Sequence, residues 1–184
     1  MRPLHAFAED TAIYLFDSND NDYCKICIAD ITRCCSNWKK KTFYEISMLG
    51  NRNIYLLSST PSFFSAAAKL LYLTRVKYCG SLIEVHTDNA TLSTTNSQQL
   101  CFYSGDLTKN LTGITYGAAE SVKVGSLVVC YNGNSTHTFS LAPVISISEC
   151  DYDGYIYGIG CDDPITVGGL LGMPSALPSK GVKC

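Results

Sequence analysis

The chain has 184 residues and a formal net charge of −2, and 46% of its residues are hydrophobic while 16% are charged. This composition excludes intrinsic disorder, and the lack of excess positive charge argues against a general nucleic-acid binder. A chain of this length buries roughly 70% of its unfolded surface. The ten cysteines are therefore not needed merely to make it fold.

The N-terminal part predicts short strands joined by tight turns. Residues 12–16 are apolar and β-prone, residues 17–22 form an Asp- and Asn-rich turn, and residues 23–31 alternate like the return strand of a hairpin. Residues 42–49 and 54–57 repeat this pattern around a second turn. Two consecutive hairpins are therefore expected.

A single amphipathic helix is predicted over residues 61–78. Thr60 is a suitable N-cap, and Pro61 suits the first helical position because its missing N–H has no intrahelical partner there. Gly80 is a natural helix stop. The stripe at helical spacing consists of Phe63, Phe64, Ala67, Leu70, Leu71 and Thr74. We expect this stripe to pack against a sheet.

From residue 81 onward the pattern is that of strands separated by Gly, Asn, Asp or Pro. The predicted strands are residues 81–86, 99–103, 111–116, 126–131, 136–141, 144–148, 155–159 and 165–167, with a turn at Asp153 and Gly154. The fold class is therefore mainly β and α+β overall. We expect a small β-sandwich or barrel in the C-terminal part, with hairpins and one helix in the N-terminal part. The change of pattern near Gly80 predicts two subdomains, residues 1–80 and 81–184.

Neither a signal peptide nor a membrane span is expected. Glu9 and Asp10 lie where a signal peptide needs apolar residues. The most apolar stretch, residues 63–73, is interrupted by Lys69 and is shorter than the roughly 20 residues that cross a bilayer. We therefore expect reduced thiols, most of them buried as small hydrophobic side chains.

Four cysteines near the N-terminus are candidate zinc ligands. Cys24 and Cys27 form a Cys-x-x-Cys pair, and Cys34 with Cys35 follows shortly afterwards. Thiolates at this spacing can enclose a tetrahedral zinc ion. Residues three apart on a strand point to opposite faces, so zinc binding would require the chain to turn there. A zinc-binding regulatory module is one alternative function.

A cysteine hydrolase is a second alternative. Such an enzyme needs a thiolate beside a histidine. The candidate thiols are Cys79, Cys101 and Cys130, and the candidate bases are His86 and His137. None of the thiols lies in a recognisable catalytic motif, so the assignment depends on which side chains meet in space.

Aromatic residues are the candidates for partner binding. Tyr152, Tyr155 and Tyr157 cluster on one strand-like run, and tyrosine combines a large apolar face with a hydroxyl. Trp38 lies in the one basic patch, residues 33–41, whose charge nearby aspartates offset. Nucleic acid is therefore not the expected partner. Alternatively, the tyrosines simply cover a face of the sheet.

The stretch 118–169 contains a series of turns and strands in a suggestive order. Gly125 precedes a valine-rich strand, an Asn132-Gly133 turn follows, and then come Ala142, a Gly158-Ile159 strand, Asp162-Asp163 and a Gly168-Gly169 exit. In this order the series resembles a small β module of bacteriophage tail-fibre and head-decoration proteins. The resemblance implies a virion component that acts by assembly and surface contact and has no catalytic residues.

The sequence alone thus predicts a non-enzymatic viral structural or interaction module, located in the virion or the host cytoplasm. Its expected partners are other viral or host proteins, it is expected to form a homo-oligomer, and no cofactor is expected apart from the zinc alternative. The competing hypotheses are a cysteine hydrolase domain of a viral polyprotein and a zinc-binding regulatory module.

Overall fold

The computed structural model describes residues 5–16, 23–33, 55–59, 63–103, 113–133 and 137–174. The strands in these residues are β1 (Phe7–Ala8), β2 (Ala12–Phe16), β3 (Tyr23–Cys27), β4 (Tyr55–Ser59), β5 (Ser65–Lys69), β6 (Tyr72–His86), β7 (Thr91–Thr94), β8 (Gln99–Tyr103), β9 (Ile114–Ala118), β10 (Leu127–Tyr131), β11 (Phe139–Pro143), β12 (Ser146–Gly160), β13 (Ile165–Val167) and β14 (Leu170–Gly172). The helical elements in this part of the chain are the four-residue helix α1 (Asp30–Arg33) and a 3-10 turn (Ala119–Ser121). The protein is therefore mainly β, as the sequence predicts.

The strands form two curled antiparallel sheets. In the first sheet, β1, β12, β6 and β7 close into a small barrel because β7 pairs with both β6 and β1. The second sheet has ten strands, in the order β11-β10-β8-β14-β13-β2-β4-β5, with β3 paired to β2 and β9 paired to β8. Both sheets combine strands from before and after residue 80, and the division into two subdomains stays a prediction.

One hydrophobic cluster joins the two sheets. Phe7 and Leu73 come from the small barrel, while Ile13, Leu100 and Val167 come from the ten-stranded sheet, and each of these side chains is at most 1% exposed. Burial of one such side chain contributes about 1.5–3 kcal/mol. The core therefore holds the inner faces of both sheets together and fixes the loops between them.

The first predicted hairpin is confirmed, whereas the predicted helix over residues 61–78 is wrong. β2 and β3 pair from Ala12 with Cys27 to Phe16 with Tyr23. Strand β5 and the first half of β6 occupy the helical range, and β6 pairs with β12 along all 15 of its residues. This long-range ladder overrides the local spacing, because the aromatic and β-branched residues of β6 pack well on a pleated surface. The expected N-cap lies outside the described residues.

Two glycines expected at chain reversals lie inside long strands instead. β6 runs through Gly80 without a break, and β12 runs through Gly154 without a break. The turn predicted at Asp153 and Gly154 is therefore wrong. A glycine in a strand commonly marks the close approach of another group.

In this case the approaching group is a tyrosine ring. Gly80 pairs with Tyr152 across the ladder, and Gly154 pairs with Tyr78. Each ring covers the glycine two residues along its own strand, so a Cβ at Gly80 or at Gly154 would lie 2.6 Å from the covering hydroxyl oxygen. Each hydroxyl donates to the main-chain carbonyl three residues along, at 3.0 Å for Tyr78 and 2.8 Å for Tyr152. The same Tyr-x-Gly packing unit thus occurs twice, once on each strand.

Candidate functional site

The two ends of the described fold meet at one turn. This β7–β8 turn comprises residues 94–99. Ala6 lies just before β1 and Met173 lies just after β14, and both are hydrogen-bonded to the turn. The first and last parts of the described fold are therefore anchored to the same short segment.

Ala6 is held through both of its main-chain groups. Its N–H donates to Thr95 Oγ1 at 3.1 Å, and its carbonyl accepts hydrogen bonds from Thr94 Oγ1 at 2.6 Å and from the Thr95 N–H at 3.0 Å. All three residues are buried, with at most 3% of each exposed. Hydrogen bonds in such a dry environment are stronger than in water, so the position of Ala6 is closely defined.

Met173 is held in the same way on the other side of the turn. Gln98 Nε2 donates to the Met173 carbonyl at 2.7 Å, and the Met173 N–H donates to the Gln99 carbonyl at 2.9 Å. Gln98 is fully buried, and its Nε2 also donates to the Gln99 carbonyl at 3.0 Å. The residue that leaves β14 is therefore as closely positioned as the residue that enters β1.

The β7–β8 turn is itself braced by neighbouring main chain. The Gln98 N–H donates to the Thr95 carbonyl at 3.1 Å, which closes the turn. The Ala119 N–H donates to the Gln98 carbonyl at 2.8 Å, and the Glu120 N–H donates to the Asn96 carbonyl at 3.0 Å. Because the turn is tied to the 3-10 turn, Ala6 and Met173 keep a fixed relation to each other.

This arrangement can position and polarise peptide groups. Donors from Thr94 and Thr95 converge on the Ala6 carbonyl, which belongs to the Ala6–Phe7 peptide group, while Thr95 Oγ1 accepts the N–H of the His5–Ala6 peptide group. The side chain of Ala6 is a methyl group and supplies no nucleophile. Any nucleophile that acts on a peptide bond here must therefore come from another residue.

The described fold also contains a polar pocket of about 590 Å³. Its lining includes Asp10, Lys25 and Glu84, together with Tyr14 and Tyr131, whose rings meet edge to face with centroids 4.8 Å apart. The residues of the β7–β8 turn are not part of this lining. The pocket is therefore separate from the groups that hold Ala6 and Met173.

The candidate thiols and histidines of the hydrolase hypothesis do not assemble. Burial raises the pKa of Cys101 to about 12, and the buried Cys130 thiol, whose pKa is also raised by burial, contacts Thr87 Oγ1 at 3.7 Å. A buried, protonated thiol is not an activated nucleophile. Cys79 is exposed and pairs with Asp153 in the ladder.

The histidines contact other groups. His86 Nδ1 lies 3.1 Å from Thr91 Oγ1, and its Nε2 lies 3.5 Å from a Glu84 carboxylate oxygen. His137 Nδ1 lies 2.6 Å from the Tyr131 hydroxyl. The described geometry therefore gives no support to the cysteine-hydrolase hypothesis.

The zinc hypothesis stays a prediction. Cys24 and Cys27 are both exposed on strand β3, which pairs with β2. Cys34 and Cys35 lie outside the described residues. Within the ranges that the structure describes, no group of three or more His, Cys, Asp or Glu side chains is arranged to hold a metal ion.

The candidate contact tyrosines lie on β12 in different environments. Tyr157 is 1% exposed, so the expectation that its ring is available at the surface is wrong. The Arg75 guanidinium lies over the Tyr155 ring at 4.3 Å, and burial raises the pKa of Tyr152 to about 12. Trp38 lies outside the described residues. Partner binding by Tyr152 and Tyr155, and the expected homo-oligomer, stay predictions.

Sequence reasoning did not identify the residues of the β7–β8 turn. Thr94, Thr95 and Gln98 lie in a polar run between two strands, and such a run indicates only a loop. Their partners Ala6 and Met173 are apolar residues with no chemical signature. The role of Gln98 becomes visible only when the fold shows that it is buried and hydrogen-bonded to Met173.

Known structures with this fold were found in a comparison of the whole chain. The structure described as an intein from a hyperthermophile has a TM-score of 0.71 and 12% identity, covering 91% of this chain and 98% of its own. The KlbA intein precursor from Methanococcus jannaschii has a TM-score of 0.68 and 24% identity, covering 97% of this chain and 96% of its own. The TvoVMA intein has a TM-score of 0.68 and 19% identity, covering 91% and 95% of the two chains. The protein therefore has the fold of inteins.

A curated protein also matches the sequence. The uncharacterized protein MJ0781 of Methanocaldococcus jannaschii is 30% identical over 168 residues, which cover 86% of this chain. The chain spans 21% of the length of that protein, so the similarity concerns one part of it. No protein-family model matches the chain.

These comparisons overturn the viral interpretation. The resemblance of residues 118–169 to a bacteriophage tail-fibre or head-decoration module is wrong, because 91% and 97% of the chain align with two intein structures. The resemblance depended on glycine turns and valine-rich strands, which many β folds share. The predicted virion function is wrong with it, and a virion location has no support. No helix in the described ranges has the length and apolarity of a membrane span.

Proposed function

We propose that this chain is a protein-splicing domain, which removes itself from between two peptide segments and joins them. Inteins, whose fold it has, are protein-splicing domains. The observation that carries the proposal is the attachment of both Ala6 and Met173 to the β7–β8 turn. Joining two segments requires their reacting groups to approach to about 3–3.5 Å, and attachment to the same turn supports the proposal because it brings both ends of the described fold to one place.

The His5–Ala6 peptide bond is the proposed N-terminal reaction site. A nucleophile attacks the His5 carbonyl carbon, the bond to the Ala6 nitrogen breaks, and the departing amine takes up a proton. Thr95 Oγ1 lies 3.1 Å from that nitrogen, within reach for orienting the leaving group and for passing it a proton. This hydroxyl therefore has a defined role in the proposed step.

The nucleophile is proposed to come from the other end of the chain. Ala6 has no hydroxyl or thiol, whereas Ser175, Ser179 and Cys184 follow Met173 in the sequence and lie outside the described residues. Attack by one of these groups leaves the N-terminal segment as an ester or thioester on that residue. This is the direction of transfer that joining requires. Joining is complete when the peptide bond that precedes this residue breaks and the freed amine displaces the ester or thioester, which returns the hydroxyl or thiol.

A fusion experiment tests the proposal. The full chain is expressed between two folded reporter domains of different mass, and the products are separated by gel electrophoresis and identified by mass spectrometry. We expect a product that contains both reporters joined, together with a separate fragment that contains the β fold. An intact precursor, or two released reporters that are never joined, would contradict protein splicing.

A further inference from the structure

The polar pocket lies where the two sheets meet. Glu84 on β6 and Ser93 on β7 line it from the small barrel, whereas Tyr14 on β2, Lys25 on β3 and Tyr131 on β10 line it from the ten-stranded sheet. Its volume of about 590 Å³ falls within the range of small-molecule sites, which is about 300–1,000 Å³. The proposed splicing reaction uses none of these five residues.

The β13–β14 turn fixes the walls of the pocket. This two-residue turn consists of Gly168 and Gly169, whose φ values of 58° and 86° lie in the region that favours glycine. The Gly168 N–H donates to the Ala12 carbonyl at 2.8 Å, and the Tyr131 N–H donates to the Gly169 carbonyl at 2.9 Å. A Cβ at Gly168 would lie only 2.6 Å from the Thr91 carbonyl oxygen, so the turn packs directly on β7. The pocket is therefore formed before a ligand enters, and little binding energy is lost in ordering it.

Two opposite charges in the lining are left unpaired. Asp10 and Lys25 are both exposed, and within the described part of the chain neither side chain forms a hydrogen bond or an ion pair. The other carboxylate of the lining, Glu84, already accepts a hydrogen bond from Ser93 Oγ at 3.1 Å and lies 3.5 Å from His86 Nε2. The pocket therefore offers one free anion and one free cation, and a ligand that carries both charges can neutralise them.

The two unpaired charges are separated along β2. Lys25 pairs with Tyr14 in the β2–β3 ladder, and Asp10 precedes Tyr14 by four residues in the sequence. At about 3.3 Å per residue, the main chain at Asp10 lies up to roughly 13 Å from this pair. A free amino acid carries its ammonium and carboxylate on one carbon, whereas an extended tripeptide separates its terminal charges by about 10 Å. The separation therefore favours a short peptide over a free amino acid.

We propose that the polar pocket binds a short peptide with free termini, whose ammonium group pairs with Asp10 and whose carboxylate pairs with Lys25. The edge-to-face rings of Tyr14 and Tyr131 provide an apolar surface for the middle of the peptide. This binding activity is separate from splicing and does not rest on it, because it needs only the described fold.

The hydroxyl of Thr11 provides a second observation at the same wall. Thr11 is 5% exposed and lines the pocket, and its Oγ1 is buried without a hydrogen-bond partner among the described residues. A buried hydroxyl without a partner is unfavourable. Rotation of this side chain towards a bound peptide would supply the hydrogen bond that it lacks.

Titration of the isotope-labelled full chain with trialanine, followed by the NMR signals of its amides, tests the proposal. We expect saturable shifts at the amides of Asp10, Lys25 and Gly168. N-acetyltrialanine lacks the ammonium group and trialanine amide lacks the carboxylate, so each should bind about fivefold more weakly than trialanine. Free alanine, with both charges on one carbon, should bind at least about fivefold more weakly as well. Equal affinity for all four compounds, or no saturable shift with trialanine, would overturn the proposal.

Two substitutions assign each protein charge to one end of the peptide. Asp10→Asn should weaken the binding of trialanine about fivefold and change the binding of N-acetyltrialanine by less than about twofold, because the acetylated peptide has no ammonium group. Lys25→Gln should weaken trialanine about fivefold and leave trialanine amide within about twofold. If a substitution weakens the blocked peptide as much as the free one, the proposed pairing of charges is wrong.

Asp151→Asn and Lys123→Gln are the matched controls. They make the same chemical changes at exposed residues outside the lining of the pocket. We expect both variants to bind trialanine with the affinity of the unsubstituted chain, and the amide spectrum of every variant reports whether its fold is retained. If the control substitutions weaken binding as much as Asp10→Asn and Lys25→Gln do, the attraction depends on net charge and not on the pocket, and the proposal fails.

Discussion

Thr95 contacts Ala6 through two separate atoms, accepting the Ala6 N–H with Oγ1 at 3.1 Å and donating its own N–H to the Ala6 carbonyl at 3.0 Å. One residue of a turn thereby fixes the whole main chain of a residue 89 positions away. The side-chain half of this contact can be removed by substitution, while the main-chain half remains. Removal of the Thr95 hydroxyl therefore tests the proposed N-terminal reaction site directly.

Replacing Thr95 by Val removes the hydroxyl and keeps the side-chain shape. We expect a loss of about 1–2 kcal/mol in the free energy of unfolding, because the buried Ala6 N–H loses its acceptor. In the reporter fusion, we expect the rate at the N-terminal site to fall about tenfold or more. Chemical denaturation and the time course of product formation measure the two effects.

The control for this substitution is Thr91→Val on β7, the strand that precedes Thr95. Thr91 is exposed, and its hydroxyl contacts His86 Nδ1 at 3.1 Å rather than Ala6. We expect changes of less than about 0.5 kcal/mol in stability and no change in rate. Equal effects of the two substitutions would show that the hydroxyl of Thr95 has no special role.

The cysteines should fall into two classes of reactivity towards an alkylating reagent. Cys24, Cys27 and Cys79 are exposed, whereas Cys101 and Cys130 are buried, and burial raises the pKa of both buried thiols, to about 12 for Cys101. The thiolate is the reactive form, so the buried thiols should react only when the protein unfolds. Labelling of the native protein followed by peptide mapping measures this, and rapid native labelling of Cys101 would contradict the buried assignment.

Stability should decline at alkaline pH. The pKa of Cys101 rises from 9.0 to about 12 on folding because burial disfavours the thiolate. The folded state therefore retains a proton that the unfolded state releases, so this stabilisation is complete below pH 9.0 and is lost as the pH rises towards 12. The expected slope is at most about 1.4 kcal/mol per pH unit for one such group.

Denaturant unfolding at a series of pH values measures this decline. Folding also raises the pKa of Cys161 and of Tyr152. The free energy of unfolding should therefore fall with pH more steeply than one thiol alone would cause. The substitution Cys101→Ala should reduce the slope between pH 9.0 and 12 even though it lowers stability at neutral pH. An unchanged slope in this variant would show that Cys101 titrates normally in the folded protein.

The paired Tyr-x-Gly units should make two strand glycines sensitive to the smallest substitution. A Cβ at Gly80 or at Gly154 would lie 2.6 Å from the hydroxyl oxygen of its covering tyrosine. We expect Gly80→Ala and Gly154→Ala each to destabilise the protein by about 1–3 kcal/mol, since the ring must leave its position. Thermal or denaturant unfolding measures the loss.

A double-mutant cycle isolates the cause of this loss. In a Tyr78→Ala background the space above Gly80 is vacated, so Gly80→Ala should then cost little. The Tyr152 and Gly154 pair provides an independent repeat on the partner strand. If Gly80→Ala costs the same with and without Tyr78, the ring is not the cause.

Some strands were predictable from sequence because the residues that specify them are neighbours in the chain. β8 was predicted with its observed bounds, Gln99–Tyr103, and the β2–β3 hairpin was recognised from its alternation and its turn. The helix expected over residues 61–78 failed because the paired strand, β12, lies more than sixty residues away in the sequence. A short apolar run is compatible with helix or strand, and only the partner decides between them.

The sequence by itself determined that the protein is a mainly β protein, because side-chain type and alternation act within a few residues. Only the tertiary structure decided what the polar run at residues 94–99 does. Thr95 meets Ala6 across 89 residues and Gln98 meets Met173 across 75 residues, so these hydrogen bonds depend on strands that are distant in the sequence. The candidate site therefore arises from the packing of segments that are distant in the sequence. Main-chain N–H and C=O groups are the same in almost every residue, so their role depends on the partner that the fold places beside them.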